Sequence, residues 1–536
     1  MFKRRDSGLV KEESTCTFAL LQTSDIHGNI FPTSYGNRLK LNAGLGKLAT
    51  IINQEKVQYE YHLLIDNGDV IQGTPLTYYF AKFVADNNNP IISVLNELKY
   101  DAAVIGNHEF NFGMELLNST IKQSSFPWLS ANLLNQETNQ PLFGKPYMVK
   151  EYPNGLRVAV LGVTTHYIPN WEDPKHIKGI LFQDALEATK HWVKYIQEKE
   201  TYDILVVSYH GGFERDLVTG EPTEALTGEN QAFAMCQEID GIDVLLTGHQ
   251  HRKIATTVNG RCVLQPSFNG QSLGKVEIQL KRLDGKWLIG DTKTELLDVT
   301  DSVVADERIL ALSYEQETRT QTWLDEPVGK IRGDMMIRSA NEVRLGDHPL
   351  IEFLNKVQMN AAQVDISCTA LLNNESPGFS EHVTMRDIIS NYIYPNTLKV
   401  IRITGQDIKD ALELSASYFT LDNDKKIIVN PDFIEPKPQH YNYDMWEGIE
   451  YEFNISKPFG ERVANLLYQG KPVGLNKEYE VVMNNYRAGG GGNYTMYKGK
   501  PVVKEIQKDM AELIAEYISK KGTVEATCNH NWRVIY

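Results

Sequence analysis

Five times in this chain a short apolar run leads straight into Asp, Asn or His. Phe18 to Leu21 leads to Asp25 and His27, Leu63 to Ile65 to Asp69, and Ala102 to Ile105 to Asn107 and His108. Ile204 to Val207 leads to His210, and Val244 to Leu246 to His249 and His251. A sixth run, Val158 to Val163, ends at Thr164 and Thr165, with His166 just beyond. Continuous apolar runs of this length read as buried strands, and their ends form one rim of a sheet. A rim that carries oxygen and imidazole donors describes a hard-to-borderline metal site gathered from across the sheet.

The 536 residues suggest two domains. The net charge of −15 argues against a nucleic-acid polymer as partner, because phosphate backbones want stripes of Lys and Arg. A small phosphorylated substrate stays open, provided metal or Arg overcomes the field locally. The five cysteines are scattered, odd in number and contain no CxxC pair, which fits free thiols in a reducing compartment. The N-terminal MFKRRDSGLVKEESTC lacks an apolar core of signal-peptide length, and no run approaches the ~20 apolar residues of a membrane span. The expected setting is the cytoplasm, without membrane attachment.

Residues 1–16 read as a polar, disordered leader. From Thr17 to about residue 300, strands alternate with helical stretches, among them Ala43 to Glu55 and Asp184 to Glu198. Strands around the turns Asn269-Gly270 and Asp284-Gly285 close this first domain, 17–300. The charged stretch 301–327 reads as a linker helix broken at Glu326-Pro327. A second domain, 328–536, is rich in Tyr, Asn and Gly, and its strongest local signal is the run Asn484 to Gly492.

The strand-end segments Asp25-Ile26-His27-Gly28-Asn29, Gly68-Asp69, Gly106-Asn107-His108-Glu109, His210-Gly211-Gly212 and Gly248-His249-Gln250-His251 resemble the metallophosphoesterases of the 5′-nucleotidase family. The likeness runs on through Tyr394-Pro395-Asn396-Thr397 and Asn485-Tyr486-Arg487. Within the family it is similar to the branch of 2′,3′-cyclic-nucleotide 2′-phosphodiesterases that also act as 3′-nucleotidases. Residues 66–76, 107–113 and 392–398 carry that likeness. The position after the GNHE motif that holds Asp in 5′-nucleotidases proper is Asn111 here, as in the cyclic-phosphodiesterase branch.

The resemblance implies a four-layer α/β/β/α metallophosphoesterase sandwich followed by an α+β substrate-binding domain. It also implies two divalent ions (Mn, Zn, Fe, Co or Mg). Asp25, His27 and His251 would serve one, Asn107, His210 and His249 the other, with Asp69 as the shared ligand. His108 would help the reaction as a transition-state or leaving-group partner beside Asn107. Tyr394 and Tyr486 would sandwich the base, Asn396 would reach its polar edge, and Gly489, Gly490, Gly491 and Gly492 would let the backbone approach the sugar. Arg344, Arg386 and Arg487 are the arginines considered for phosphate or sugar, with Arg487 retained. The implied activity is opening of 2′,3′-cyclic nucleotides to 3′-nucleotides and then release of nucleoside and phosphate. The rivals are a 5′-nucleotidase or nucleotide-sugar hydrolase, and a nucleotide-binding protein without turnover.

Taken singly, an Asp or His at a strand end is ordinarily a loop residue; seven in this order are not. The remaining histidines, His62, His166, His176, His191, His348, His382, His440 and His530, read as surface or packed imidazoles.

Overall fold

In the computed structural model, residues 14–84, 88–224, 226–394, 396–435, 437–506 and 508–536 are described. Residues 1–13 of the expected leader, and Pro395 of the Tyr394–Thr397 motif, lie outside them. The leader is shorter than expected, since the first strand, Thr15–Thr23, already includes Thr15 and Cys16.

Two six-stranded sheets make up the first domain. In the first, Thr15–Thr23 pairs in parallel with Tyr61–Asp66, and that strand with Ala102–Val104. In the second, Arg157–Thr164, Ile204–His210, Val244–Leu246 and Arg261–Pro266 run parallel. The side-chain alternation of period two decides which layer each residue enters. Phe18, Leu20, Leu63, Ile65, Val158, Val160, Ile204 and Val206 meet between the sheets. Leu21 and Leu64 face outward onto the helices Leu45–Gln58 and Pro90–Glu97. Ala159, Leu161, Leu205 and Val207 face outward from the second sheet, onto Ala185–Lys199 and Ala232–Glu238. The result is the four-layer α/β/β/α sandwich, with every central strand buried on both faces. That double burial is why these strands read as unbroken apolar runs.

The expected helices start slightly late. Leu45–Gln58 follows Gly44, and Ala185–Lys199 is capped by the Asp184 side chain, which accepts from Glu187 N–H. Leu283 pairs with Lys286 across Asp284-Gly285, both at positive φ, as a two-residue hairpin requires. The linker is two short helices rather than one, Glu307–Ala311 and Tyr314–Leu324, the first capped by Asp306. The strand Pro327–Arg332 begins directly after them.

In the second domain a five-stranded sheet is ordered Asp444–Glu447, Ile366–Ala370, Glu478–Asn484, Leu398–Thr404, Val502–Ile506. One face packs on the helices Pro349–Ala362 and Met510–Lys521, the other on Gly405–Ala416 and an aromatic cluster around Tyr418, Tyr443 and Trp446. This is an α+β unit. Tyr78 Oη donates to Asp509 at 2.9 Å and Lys82 pairs with the same carboxylate at 2.8 Å, so the first domain is tied to the second through a buried anion. Among the described residues no helix is long and apolar enough to cross a membrane.

Candidate metal centre

Parallel register brings the strand ends level: Thr23 lies opposite Asp66, Asp66 opposite Ala103, and Thr164 opposite His210. The loops that leave these ends all turn over the same rim. Five residues there adopt left-handed backbone conformations without being glycine: Asp25 (φ 52°), His27 (48°), Asp69 (58°), His249 (66°) and His251 (59°). Such conformations cost on the order of 1–3 kcal/mol each and persist only where the surroundings over-determine them.

The surroundings here are hydrogen bonds between loops. Asp25 N–H donates to Gly68 O and His27 N–H to Asp69 O, both at 2.9 Å. Glu109, fully buried, accepts from the N–H groups of Asp69 (2.8 Å), Val70 (2.7 Å) and Gly106 (2.7 Å). One carboxylate therefore holds the Asp69 loop and the GNHE loop together. Burial, then the nearby Asp69 charge, pushes the Glu109 carboxyl above its ordinary value, and the donated N–H bonds act against that.

Two groups of donors result. Asp25, His27 and His251 form one, Asp69, His210 and His249 the other, and within each group the ligand atoms lie within 4.8 Å of one another. Asn107 Oδ1 faces His249 Nδ1 at 2.9 Å and His210 Nε2 at 3.1 Å, which adds it to the second group. The structure thus brings together all seven of the residues expected to hold metal. Asp69 is near enough to His27 and His251 to bias their protonation, which keeps it in reach of both groups.

The arrangement of lone pairs tests whether cations fit. His27 Nδ1–H donates to Gln72 O at 3.1 Å, so its Nε2 lone pair faces His251 Nε2, 3.1 Å away. His249 Nε2–H donates to Glu229 at 2.9 Å, so its Nδ1 lone pair faces the Asn107 carbonyl. His210 Nδ1–H is tied to Asn67 O at 2.7 Å, leaving Nε2 toward Asp69 at 3.2 Å. The His249 lone pair facing the Asn107 oxygen is relieved by a cation between them, and the outer hydrogen bonds of His27, His210 and His249 are the usual support of metal ligands. Burial and then the neighbouring His251 hold His27 down to about 3, in the neutral form a metal requires. The residues present fit divalent cations.

Several supporting residues had no signal in the sequence. Glu229 lies in an unpatterned loop, Trp171 stacks on His249 (ring centroids 5.3 Å apart, 24° between planes), and Phe268 stacks on His251 (4.7 Å, 13°). Glu109 could have been found, since it closes the GNHE motif, but its work is done by backbone contacts that the motif does not reveal.

His108 stands beside the first group, its ring edge-on to His27 with centroids 5.2 Å apart. Its N–H donates to Asp69 Oδ1 at 2.8 Å and its Nδ1 to Asn111 Oδ1 at 2.6 Å. Asn111 Nδ2 in turn donates to Glu172 at 2.7 Å, and the other Glu172 oxygen accepts from His176 Nδ1 at 2.8 Å. A carboxylate only accepts, so the Asn111 amide must present its N–H to Glu172 and its oxygen to His108. The carboxylate missing at position 111 therefore stands one residue further back, and His176 is a member of this chain of bonds rather than an isolated surface imidazole. Glu172→Gln is expected to lower kcat by about ten- to a hundredfold with KM unchanged, the scale of losing an outer partner. An unchanged kcat would show that Asn111 suffices alone. His108→Ala is expected to keep its metal, as elemental analysis will read, while losing roughly 10²–10⁴ in rate. Loss of metal would make His108 a ligand.

The second-domain expectations fare differently. Tyr394 and Tyr486 are half-buried, and together with Tyr441 and Glu229 they are close enough to influence one another's ionisation. Glu229, which accepts from His249, is the link between these tyrosines and the second donor group. Asn396 is anchored by its carbonyl, which accepts from Met510 N–H at 2.9 Å.

Arg487 is corrected. Its guanidinium is turned inward, only 2% exposed, paired with Asp444 (2.7 Å), donating to Tyr441 O (3.0 Å) and lying over the Tyr494 ring (4.0 Å). It is an internal strut, with no face left for substrate. The glycine run is packed around it. A Cβ on Gly491 would run into the Tyr486 ring, and one on Gly492, at φ 68°, into Asn442 and Arg487. Internal crowding is enough to require glycine at Gly491 and Gly492, while Gly489 is exposed and a Cβ on Gly490 would meet the Lys498 side chain. Arg344 and Arg386 are likewise spent, on Leu371 O and Asn374, and on Asp325 and Gln321.

A further group, Asp347, Glu352, Glu447, Cys528 and His530, offers ligand atoms in the second domain. Its carboxylates accept from the loop they enclose, half-buried Asp347 from His530 N–H (2.9 Å) and buried Glu352 from Asn529 N–H (2.6 Å).

Residues 18–253 match the calcineurin-like phosphoesterase family and residues 327–499 the 5′-nucleotidase C-terminal domain. A Staphylococcus aureus protein described as a 5′-nucleotidase, solved with α-ketoglutarate, superposes with a TM-score of 0.89 at 37% identity, covering 97% of this chain and all of that one. The 2′,3′-cyclic-nucleotide 2′-phosphodiesterase/3′-nucleotidase of Salmonella typhimurium is 27% identical over 97% of this chain and 89% of its own. The trifunctional nucleotide phosphoesterase YfkN of Bacillus subtilis is 28% identical over 96% of this chain, which spans only 39% of that longer protein. A rim that gathers seven donors in two facing groups, and a second domain that matches along with the first, leave one conclusion: this chain belongs to the 5′-nucleotidase family of metallophosphoesterases.

Proposed function

We propose that the protein is a dinuclear metallohydrolase that opens 2′,3′-cyclic nucleotides to 3′-nucleotides and then releases nucleoside and phosphate. The observation that carries it is the convergence of two donor groups on one point, with imidazole and carbonyl lone pairs facing each other. The name of the Salmonella relative, and the Asn at position 111, support the cyclic substrate.

Asp25, His27 and His251 would hold one cation, and Asn107, His210 and His249 the other, with Asp69 between. Such a pair, when bound, neutralises phosphoryl charge and lowers the pKa of water from 15.7 toward about 7. Mn, Zn, Fe, Co or Mg would suit this mixed donor set. The chain's own residues do the rest. Glu109 keeps the Asp69 and Asn107 loops in register. Glu229 and Gln72 fix imidazole tautomers. His108, with Nδ1 tied to Asn111, presents Nε2 as the atom able to protonate the departing ribose oxygen. In the first step water adds to phosphorus and the P–O2′ bond breaks, O2′ taking up the proton. In the second the P–O3′ bond breaks in the same way. Tyr394, Tyr441 and Tyr486 would receive the nucleoside by stacking.

The test is product analysis with metal-loaded protein and a panel of cyclic, 3′- and 5′-nucleotides. Accumulation of 3′-nucleotide from a 2′,3′-cyclic substrate supports the reading. Exclusive turnover of 5′-AMP would give the protein to the 5′-nucleotidase reading, which the Staphylococcus aureus neighbour favours. We place the protein in the cytoplasm because all five cysteines are free; fractionation that finds it outside the cell contradicts this.

A further inference from the structure

The space above the metal groups is bordered by anions: Asp25, Asp69 and Glu229. A phosphate bearing up to two negative charges enters that field, and the arginines expected to receive it are engaged elsewhere. The second domain does bring one cation to the rim. Lys437 follows the 3₁₀ turn Pro431–Phe433 and precedes His440–Asn442. Its Nζ crosses the domain boundary to donate to His249 O at 3.1 Å. Among the described residues, no carboxylate lies within ion-pair distance of this ammonium. Its contact with His249 sets it beside the second donor group, and its charge is felt at both His251 and Tyr394.

We propose that Lys437 is the cation by which the second domain holds the substrate's phosphate over the metal centre. An ammonium has three donors, and among the described residues only one is used, on a neutral carbonyl. A phosphate oxygen arriving beside it accepts a charge-assisted bond, which is the stronger kind. Lysine suits the task as a compact point charge on a flexible stem, able to follow phosphorus as the ring opens and the second ester is presented. A substrate that reaches from the ions to Tyr394 would come within the field of this ammonium. The alternative is that Lys437 merely latches the domains through the His249 carbonyl.

The proposal rests on the metallohydrolase reading, and the test separates the two. Full-length, metal-loaded wild type, Lys437→Met and Lys437→Arg are assayed on bis-(p-nitrophenyl) phosphate, with inorganic phosphate and adenosine as competing inhibitors. In Lys437→Met the inhibition constant for phosphate should rise about tenfold or more, while that for adenosine stays within about twofold. Lys437→Arg should restore most of the phosphate affinity. A latch would shift both constants together, or neither, and either result overturns the proposal. Should wild type be inert on the diester, the hydrolase reading fails, and Lys437 is then judged by the phosphate-dependent rise in unfolding temperature of the metal-loaded protein. Loss of that rise in Lys437→Met upholds the phosphate contact; an equal rise in both proteins refutes it.

Discussion

Asp69→Asn is expected to reduce kcat/KM by roughly 10³-fold or more while the protein stays folded. The carboxylate is 1% exposed and lies against His210 at 3.2 Å. Burial alone would raise its pKa, but the charge of His210 beside it outweighs that and holds it well below the ordinary value, so it is an anion in the folded protein. Asn preserves the shape and the acceptor for His108 N–H, and removes only the charge. Without that charge the site loses the anion that would be shared between the two donor groups. Metal-ion stabilisation of a phosphoryl transition state is worth several kcal/mol, and each 1.36 kcal/mol is tenfold in rate. Metal content by elemental analysis and turnover on a diester are the measurements. A variant that retains both ions and more than a tenth of the rate would remove Asp69 from the bridging position.

Glu109→Ala is the second large effect, and it falls on folding before catalysis. This carboxylate touches no ligand atom; it accepts from three or more buried N–H groups across two loops. Leaving such donors unpaired costs about 1–3 kcal/mol each. A loss of about 3 kcal/mol or more is therefore expected, a large share of the 5–15 kcal/mol typical of a domain. Denaturant unfolding of the metal-free protein reads it directly. The left-handed turn at Asp69 should relax at the same time, and metal retained after dialysis should fall. Glu109→Gln should be milder, since one oxygen still accepts, although its NH₂ then faces N–H donors. A metal-free variant as stable as wild type would show that the loops hold their shape without this anchor.

Much of the first domain was legible because burial on both faces leaves a mark on every residue of a strand. Val158 to Val163 and Ile204 to Val207 can only be interior, so their ends can only be a rim. The donors at those ends were legible for a related reason: metal chemistry needs particular atoms, and few residue types carry them. Errors came where a residue's role depends on a distant partner. Arg487 looks like a substrate residue until Asp444, 43 positions away, is seen to hold it. Gly491 and Gly492 look like part of a sugar platform until the Tyr486 ring and the Arg487 guanidinium are seen to fill the space beside them. The linker reads as one helix because its composition favours helix throughout, yet Asp306 starts a helix within it and the chain breaks again near Ser313.

The amino-acid order by itself determined which atoms could ligate metal, that they would collect at strand ends, and that a second domain would follow; the single sheet it suggested is two, with donors from both. Only the tertiary structure decided what steadies those atoms: Glu109 beneath two loops, Glu229 behind His249, Glu172 behind Asn111, and Lys437 reaching across from the other domain. The physical reason is one of range. Burial and donor chemistry are properties each residue carries with it, whereas a hydrogen bond belongs to a pair, and these pairs are joined by folds of the chain from 20 to 188 residues long.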